Sequence, residues 1–409
     1  MIKAPRGTHD VLPGEQPLWR RIVHTAEAVC ADYGYRPIVT PGFEETELFA
    51  RTSGAGSDIV RKEMYTFTDR GGRSLTLRPE GTAPVARAYV EHGLSHEAAP
   101  FKAYMVLPMY RYDRPQKGRH REHWQFSAEA LGSDDPAIDA EVIQLYAEFL
   151  RRLGVTGFWL DLNSIGDRRC RPRYIERLKG WLTENEGALD DDAREKRATS
   201  PLRVFDTKNE AVREALGAAP TIGESLCDEC RAHFEELRHY LDAYGIEYRL
   251  RPSLVRGLDY YTRTTFEFHG EALGAQSQLV GGGRYDYLVE EIGGPPTPGI
   301  GFGAGIERLV LQLEQQGIEL DTSHIEVFFA CEPGTSRTEV LALMGELRRR
   351  GVACETDYAG RSLKGQLTQA RRLGAEVTVI AARDGATIRR AGAADESVPL
   401  ADIAERLGR

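Results

Sequence analysis

Two turn-linked pairs of alternating segments between residues 65 and 131 impose an antiparallel sheet on this chain. YTFTD and SLTLRPE alternate apolar and polar residues on either side of Arg70-Gly71-Gly72-Arg73, the pattern of a hairpin with a glycine turn. Residues 101–112 and 123–131 are two apolar-aromatic runs flanking a polar loop, and predict a second hairpin. Around them lie helices. In 16–33, Leu18, Ile22, Ala26 and Val29 recur every three or four positions and Gly34 follows. Thr82 opens another helical segment ending at a Gly, and 137–153 a third. RPIVTPGF and GFWLDLN read as short strands. Helices fall between hairpins and not after every strand. This predicts an α+β fold, a mixed, largely antiparallel sheet with flanking helices, and argues against a doubly wound sheet.

The pattern changes twice further on. Residues 168–245 are charged, poor in strand signals and helical in period, as expected of an inserted helical subdomain. Strand signals return at 263–269 and 277–280, and GIGFGAGIERLVLQLEQQG reads as strand, turn and helix. Beyond 317–323, IEVFFAC, VACETDY and EVTVIAA alternate with two helical stretches. That alternation predicts a small α/β domain with a largely parallel sheet. With 409 residues, too many for one core, the chain divides into 1–320, carrying the 168–245 insertion, and 324–409, with the boundary at 321–323.

No apolar run is long enough to span a bilayer and the N-terminus has no signal-peptide core, so a cytoplasmic protein with no membrane contact is predicted. Its six cysteines are expected to stay thiols. CDEC at 227–230, with His233 beyond, has metal-like spacing. A closed zinc site needs four ligands, however, and no second pair stands out; on a helix Cys227 and Cys230 would simply share a face. No protein-held metal is predicted. The net charge of −9 excludes indiscriminate coating of nucleic acid, but not a local basic surface for a folded RNA.

Such local charge exists. LRPEGTA sets Arg78, Glu80 and Thr82 at alternate positions, on one face if extended. Some thirty residues later, Arg111, Arg114, Lys117, Arg119 and Arg121 crowd one hairpin loop with a single acid among them, Asp113. Five cations there call for an anionic partner, polyphosphate or RNA, unless the loop is merely solvated. LVRGLDYYTRTTFEF adds Arg256 and a Tyr260-Tyr261 pair. GGGRYDYL reads as a glycine turn into Arg284 and Tyr285. GFGAG in GIGFGAGIERL lacks the context of a dinucleotide fingerprint; its glycines fit close packing of strand and helix under a nucleotide, with Arg308 at the helix start.

Taken together and in order, LRPEGTAPVARA, YRYDRPQKGR, LVRGLDYYTRTTFEF, GGGRYD and GIGFGAGIERL resemble the motif set of histidyl-tRNA synthetases, as does RGTHDVLP at the start. The resemblance runs over nearly the whole chain. His123-Trp124 and Ser127-Ala128 depart from the family's pattern, flanking Gln125 and Glu129 without replacing them, and the tail after Ala381 departs from its usual ending.

This resemblance implies a class II synthetase that activates L-histidine with ATP, Mg²⁺ arriving with the nucleotide, and transfers the histidyl group to tRNA(His). It implies a homodimer formed through the Pro41 region. For ATP it implies Arg111 and Arg256 on the α-phosphate, as the catalytic pair, Arg119 on the far phosphates and Arg308 on the γ-phosphate. For histidine it implies Glu129 and Tyr261 at the imidazole nitrogens, Glu80, Thr82 and Gln125 at the amino and carboxylate groups, and Tyr260 and Tyr285 in the pocket. It also implies that 324–409 binds the anticodon, with Arg361, Lys364, Arg371 and Arg372 as a basic face. The alternative on the same fold is a histidine-binding, non-catalytic paralogue, the regulatory subunit of ATP phosphoribosyltransferase, which lacks the C-terminal module. A pseudo-synthetase sensing uncharged tRNA is the other.

Overall fold

The computed structural model describes residues 2–54, 57, 59–97, 99–116, 118–207, 209–318 and 325–407; Lys117 and the expected boundary at 321–323 lie outside them. The chain forms two compact units, Met1–Leu320 and Asp321–Arg409.

The first unit is built on an eight-stranded sheet. Across it run Arg36–Pro37, Phe101–Tyr110, Glu122–Leu131, Gly299–Gly305, Gln278–Arg284, Thr262–Gly270, Phe158–Ser164 and Arg249–Leu250. The six central strands are antiparallel; only the two-residue edge strands pair parallel. The sheet is thus mixed and largely antiparallel, with helices packed on it, the α+β class that its hairpin pattern predicts. The 66–68 and 74–77 strands pair as a hairpin in a separate small sheet.

Period-two alternation divides the sheet into two faces. Phe126, Ala128, Ala130, Ile300, Phe302 and Ala304 bury against helices Gln16–Asp32, Pro136–Leu153, Asp228–Ala243 and Ile306–Gln315, which contribute Ile22, Leu145, Leu241 and Leu309. Deep burial of such side chains is the main stabilising term, roughly 1.5–3 kcal/mol each. Across the sheet, Phe101, Ala103, Met105 and Leu131 pack with Val85 and Tyr89 of helix Thr82–Glu91 and with Tyr260, Tyr261 and Tyr285. This second face carries the polar residues discussed below.

Residues 168–245 are helical in the structure, but they do not share one core. Cys170, Tyr174, Leu178, Val204, Leu216 and Cys230 belong to a cluster of their own. Leu237 and Leu241, further along helix Asp228–Ala243, pack into the main core instead. The glycine run 281–283 is strand and not the turn its composition predicts. An added Cβ would lie 2.0 Å from Nη2 of Arg256 at Gly281, 2.4 Å from Phe266 at Gly282 and 2.5 Å from the Thr264 carbonyl at Gly283. Close approach from both sides of the sheet, not chain reversal, requires these glycines.

In the second unit, strands Cys354–Thr356, Val327–Cys331 and Val377–Ala382 run parallel, with Gly385–Arg390 and Glu396–Val398 added antiparallel. Val327 and Phe329 face helix Arg337–Arg349; Phe328 and Ala330 face helix Leu363–Arg372. It is an α/β layer structure, with the tail after Ala381 extending its sheet.

Candidate active site

The centre of the sheet's second face is a patch of four glycines. Gly281 pairs with Gly303 and Gly283 with Gly301 across two adjacent strands. Without side chains, these positions let neighbouring side chains lie flat on the sheet. A Cβ would sit 2.0 Å from the Arg256 guanidinium at Gly281 and 1.8 Å from Glu129 Oε2 at Gly301. At Gly303 it would sit 2.3 Å from the Gln125 amide, and at Gly283 2.9 Å from the Tyr261 ring. Above this floor opens a cleft of ≈ 260 Å³.

Arg111 and Arg119, from one hairpin loop, and Arg256 and Arg308, from two further parts of the chain, all line that cleft. Arg111 is fixed through Nε to the Pro79 carbonyl, 2.7 Å away. Arg119 stands on a tight turn closed by mutual hydrogen bonds with Gln116, its Nε 3.1 Å from Asp113. Arg256 pairs with Glu267 of the Thr262–Gly270 strand. Burial opposes its charge, but that carboxylate holds it firmly protonated. Arg308, in the first turn of helix Ile306–Gln315, donates to the Gln278 carbonyl at 2.5 Å. Burial and then the charge of Arg119 pull its pKa down. His123 lines the same cleft and is pushed down to about 3 by burial and by Arg111, so it stays neutral. Converging cations that destabilise one another are relieved by a polyanion.

At the other end the cleft narrows on Glu80, Thr82, Gln125, Tyr260 and Tyr261. Glu80 does not share an extended face with Arg78 and Thr82, as its spacing implies. Thr82 begins a helix, and Glu80 accepts the amides of Thr82 (2.7 Å) and Ala83 (3.0 Å) at that helix's N-terminus. Arg78 turns away to the carbonyls of Thr40, Pro41 and Pro108. Gln125 donates to Ser127 Oγ at 2.8 Å. Glu129 and Tyr285 lie behind this wall, fully buried. Glu129 accepts from Thr82 Oγ1 at 2.7 Å and from the Tyr285 hydroxyl. Burial raises Glu129 to about 8, against the pull of those two hydrogen bonds, so the carboxyl is largely protonated at neutral pH. Burial likewise raises Glu80 and Tyr261.

The other described loop cations serve otherwise. Arg121 stacks on Tyr112, 3.8 Å from ring centre, and its amide donates to the Gly7 carbonyl at 2.7 Å, which ties the N-terminal loop to the basic hairpin. Arg114 is exposed. Arg284 is fully buried against Asp139 and Asp286, a structural clamp and not a cleft residue. Gly281 and Gly283 of the floor, Glu267 and His123 escape sequence reading as site residues, whereas Gly301 and Gly303 lie in the GFGAG run already read as packing under a nucleotide. Period-two glycines on adjacent strands are the signal that would have found the first two; the others depend on long-range packing. Residues of the helical insertion, among them Arg203, Asp206 and Thr207, line a further cavity that shares Arg111, Arg119 and Arg256 with the cleft. In the second unit, Arg361, Lys364, Arg371 and Arg372 are exposed on or beside one helix, with Arg361 paired to Asp357 at 2.5 Å.

Residues 7–309 match a family model described as histidyl-tRNA synthetase. The chain is 49% identical over 381 residues to the histidine–tRNA ligase of Caldanaerobacter subterraneus subsp. tengcongensis, covering 93% of this chain and 91% of that protein. With the histidine–tRNA ligase of Moorella thermoacetica it shares 48% identity over 412 residues, 99% of this chain and 97% of that one. Among solved structures it resembles apo histidyl-tRNA synthetase from S. aureus, with a TM-score of 0.83, 36% identity and all of both chains covered.

Proposed function

This chain belongs to the histidyl-tRNA synthetase family, a histidine–tRNA ligase using ATP, and we propose that the cleft over the glycine floor performs its chemistry. Four guanidinium groups converging beside a buried acid-and-tyrosine slot is the observation that carries this reading. The carboxylate of histidine attacks the α-phosphorus of ATP, forming histidyl-adenylate and releasing pyrophosphate; the histidyl group then moves to the 3′-terminal adenosine of tRNA(His). The attacking carboxylate is already ionised, so the first step needs alignment and charge stabilisation, not a general base. Arg111 and Arg256 grip the α-phosphate from two sides, a task suited to planar, permanently charged forks. Arg119 holds the far phosphates and Arg308 the γ-phosphate.

Of the cleft's acids, Asp113 pairs with Arg119, Glu80 caps a helix and Glu307 accepts the Trp124 amide at 2.8 Å. Among the described residues these acids are already engaged, and a Mg²⁺ arriving with ATP would be held chiefly by the phosphates, whose charge it would neutralise.

Glu129 and Tyr261 read the two imidazole nitrogens, while Glu80, Thr82 and Gln125 hold the amino and carboxylate groups; Tyr260 and Tyr285 complete the pocket. A slot of this polarity rejects analogues lacking the ring nitrogens by about 10⁴ or more. An imidazole N–H donates best to ionised Glu129. The empty-site carboxyl, raised to about 8, must lose its proton to bind neutral histidine, so affinity should rise with pH and level off above 8. Between pH 7 and 8.5 the gain should be roughly fivefold to tenfold, read by calorimetric titration. Affinity flat across that range would remove Glu129 from the imidazole.

The second unit, 324–409, binds the anticodon through its exposed basic helix. A homodimer forms through the Pro41 region, where Val39, Phe43 and Phe67 are exposed and the two phenylalanine rings meet edge-on; a fully active monomer in sedimentation would reject that. The tRNA substrate places its work in the cytoplasm; no described helix is long and apolar enough to cross a membrane.

Histidine-dependent exchange of pyrophosphate into ATP tests the activity. The full chain should catalyse it, and a chain ending at 323 should retain exchange while losing most tRNA charging. No exchange by the full chain would favour the non-catalytic histidine-binding alternative, and equal loss of both activities on truncation would deny 324–409 its separate role.

A further inference from the structure

The helical insertion begins and returns through two loops of matching form. Asp167-Arg168-Arg169-Cys170 leads into helix Arg171–Glu184, and Cys227-Asp228-Glu229-Cys230 opens helix Asp228–Ala243. The fold brings them together: one ligand atom from each of Asp167, Cys170, Cys227 and Cys230 lies within 4.8 Å of all the others. Cys227 thus finds the second ligand pair that its own neighbourhood in sequence lacks. His233, the nearer candidate along the chain, lies instead 3.6 Å from Asp139.

We infer that Asp167, Cys170, Cys227 and Cys230 bind one zinc ion at the neck of the insertion. Distances support a tetrahedron. With Zn–S about 2.3 Å and Zn–O about 2.0–2.2 Å, its edges measure about 3.8 Å between sulfurs and about 3.5 Å between sulfur and oxygen. Cys170 Sγ lies 3.9 Å from Cys230 Sγ and 3.6 Å from Asp167 Oδ1. The sulfurs are too far apart for a disulfide, whose bond is about 2.05 Å, and all are free thiols.

The surroundings are those of a ligand set held in place. Asp167, Cys170 and Cys230 are buried and Cys227 is half-buried. Arg169 donates to Asp167 Oδ2 from Nε (3.1 Å) and Nη2 (2.9 Å), while Oδ1, on the side of the thiols, accepts the amides of Arg169 (2.9 Å) and Cys170 (3.3 Å), the outer-shell support that metal ligands characteristically receive. The Asp167 amide points at Cys170 Sγ, 3.3 Å away. Gly166, at φ +63°, leaves room for that sulfur, because a Cβ there would sit 2.5 Å from it. Both cysteine loops meet helix N-termini, which favour thiolates. Three thiolates select Zn²⁺ over Mg²⁺. The ion would tie the point where the chain leaves the catalytic fold to the point where it returns, 60 residues later, and so fix the insertion over the cleft.

Elemental analysis of the full chain, purified without chelators from zinc-containing medium, should find about one zinc per chain, and the Co²⁺-substituted protein should show the visible absorption of a tetrahedral thiolate site. Cys170→Ser and Cys227→Ser should each lose the metal. If those variants do not fold, the wild-type zinc content and Co²⁺ spectrum decide alone. Less than about a tenth of an equivalent, both as purified and after the reduced protein is incubated with Zn²⁺ and desalted, overturns the site, as does a Co²⁺ spectrum without thiolate character.

Discussion

Arg256→Ala should lower the rate of histidyl-adenylate formation about a thousandfold, equivalent to about 4 kcal/mol of transition-state stabilisation, with histidine affinity changed only slightly. The side chain lies on Gly281, which allows its approach, and is braced by Glu267, itself within 3.1 Å of the Gln278 amide. Such bracing means that the guanidinium need not reorganise as charge builds on the α-phosphate, and preorganisation of that kind acts on kcat more than on ground-state binding. Arg256→Lys keeps the charge but not the planar fork and should recover little. Stopped-flow measurement of adenylate formation beside equilibrium titration with histidine separates the two effects. Comparable losses in both, or a rate loss below about tenfold, would place Arg256 among structural ion pairs and not on the phosphate.

Most elements of the catalytic unit are legible because their signals are local. Alternation in SLTLRPE, the three-to-four spacing of Leu18, Ile22, Ala26 and Val29 and the Gly34 that follows each act within a few residues. Legibility ends where a residue's partner is distant. Arg78 spends its donors on Thr40, Pro41 and Pro108, so the extended face it seemed to share with Glu80 does not exist. Arg284, adjoining a glycine run, serves a buried carboxylate 145 residues away. The meeting of Asp167 and Cys170 with Cys227 and Cys230 depends on an entire subdomain closing on itself. The cation cluster was readable as chemistry because like charges demand an explanation, whereas its convergence in space was readable only through family resemblance.

The glycine floor makes a sharper demand. Gly301→Ala should weaken histidine binding at least a hundredfold, through a residue that offers histidine no side chain. The added methyl would fall 1.8 Å from Glu129 Oε2 and 2.6 Å from the Ala128 carbonyl. The carboxylate could swing aside, but the carbonyl belongs to the strand paired with Gly301's own, so the backbone must also give. Overpacking of this kind costs about 1–3 kcal/mol of stability. Glu129 cannot move without losing Thr82 or Tyr285, and a buried carboxyl deprived of its donors is expensive. Gly305→Ala is the control on the same strand, since a Cβ there meets nothing within 4 Å; its melting temperature should stay within a few degrees of wild type. If Gly301→Ala binds histidine normally, Glu129 is not pressed against the floor and the pocket must lie elsewhere on the sheet. If binding falls while the protein still melts cooperatively, the bare strand is what holds Glu129 in register for imidazole.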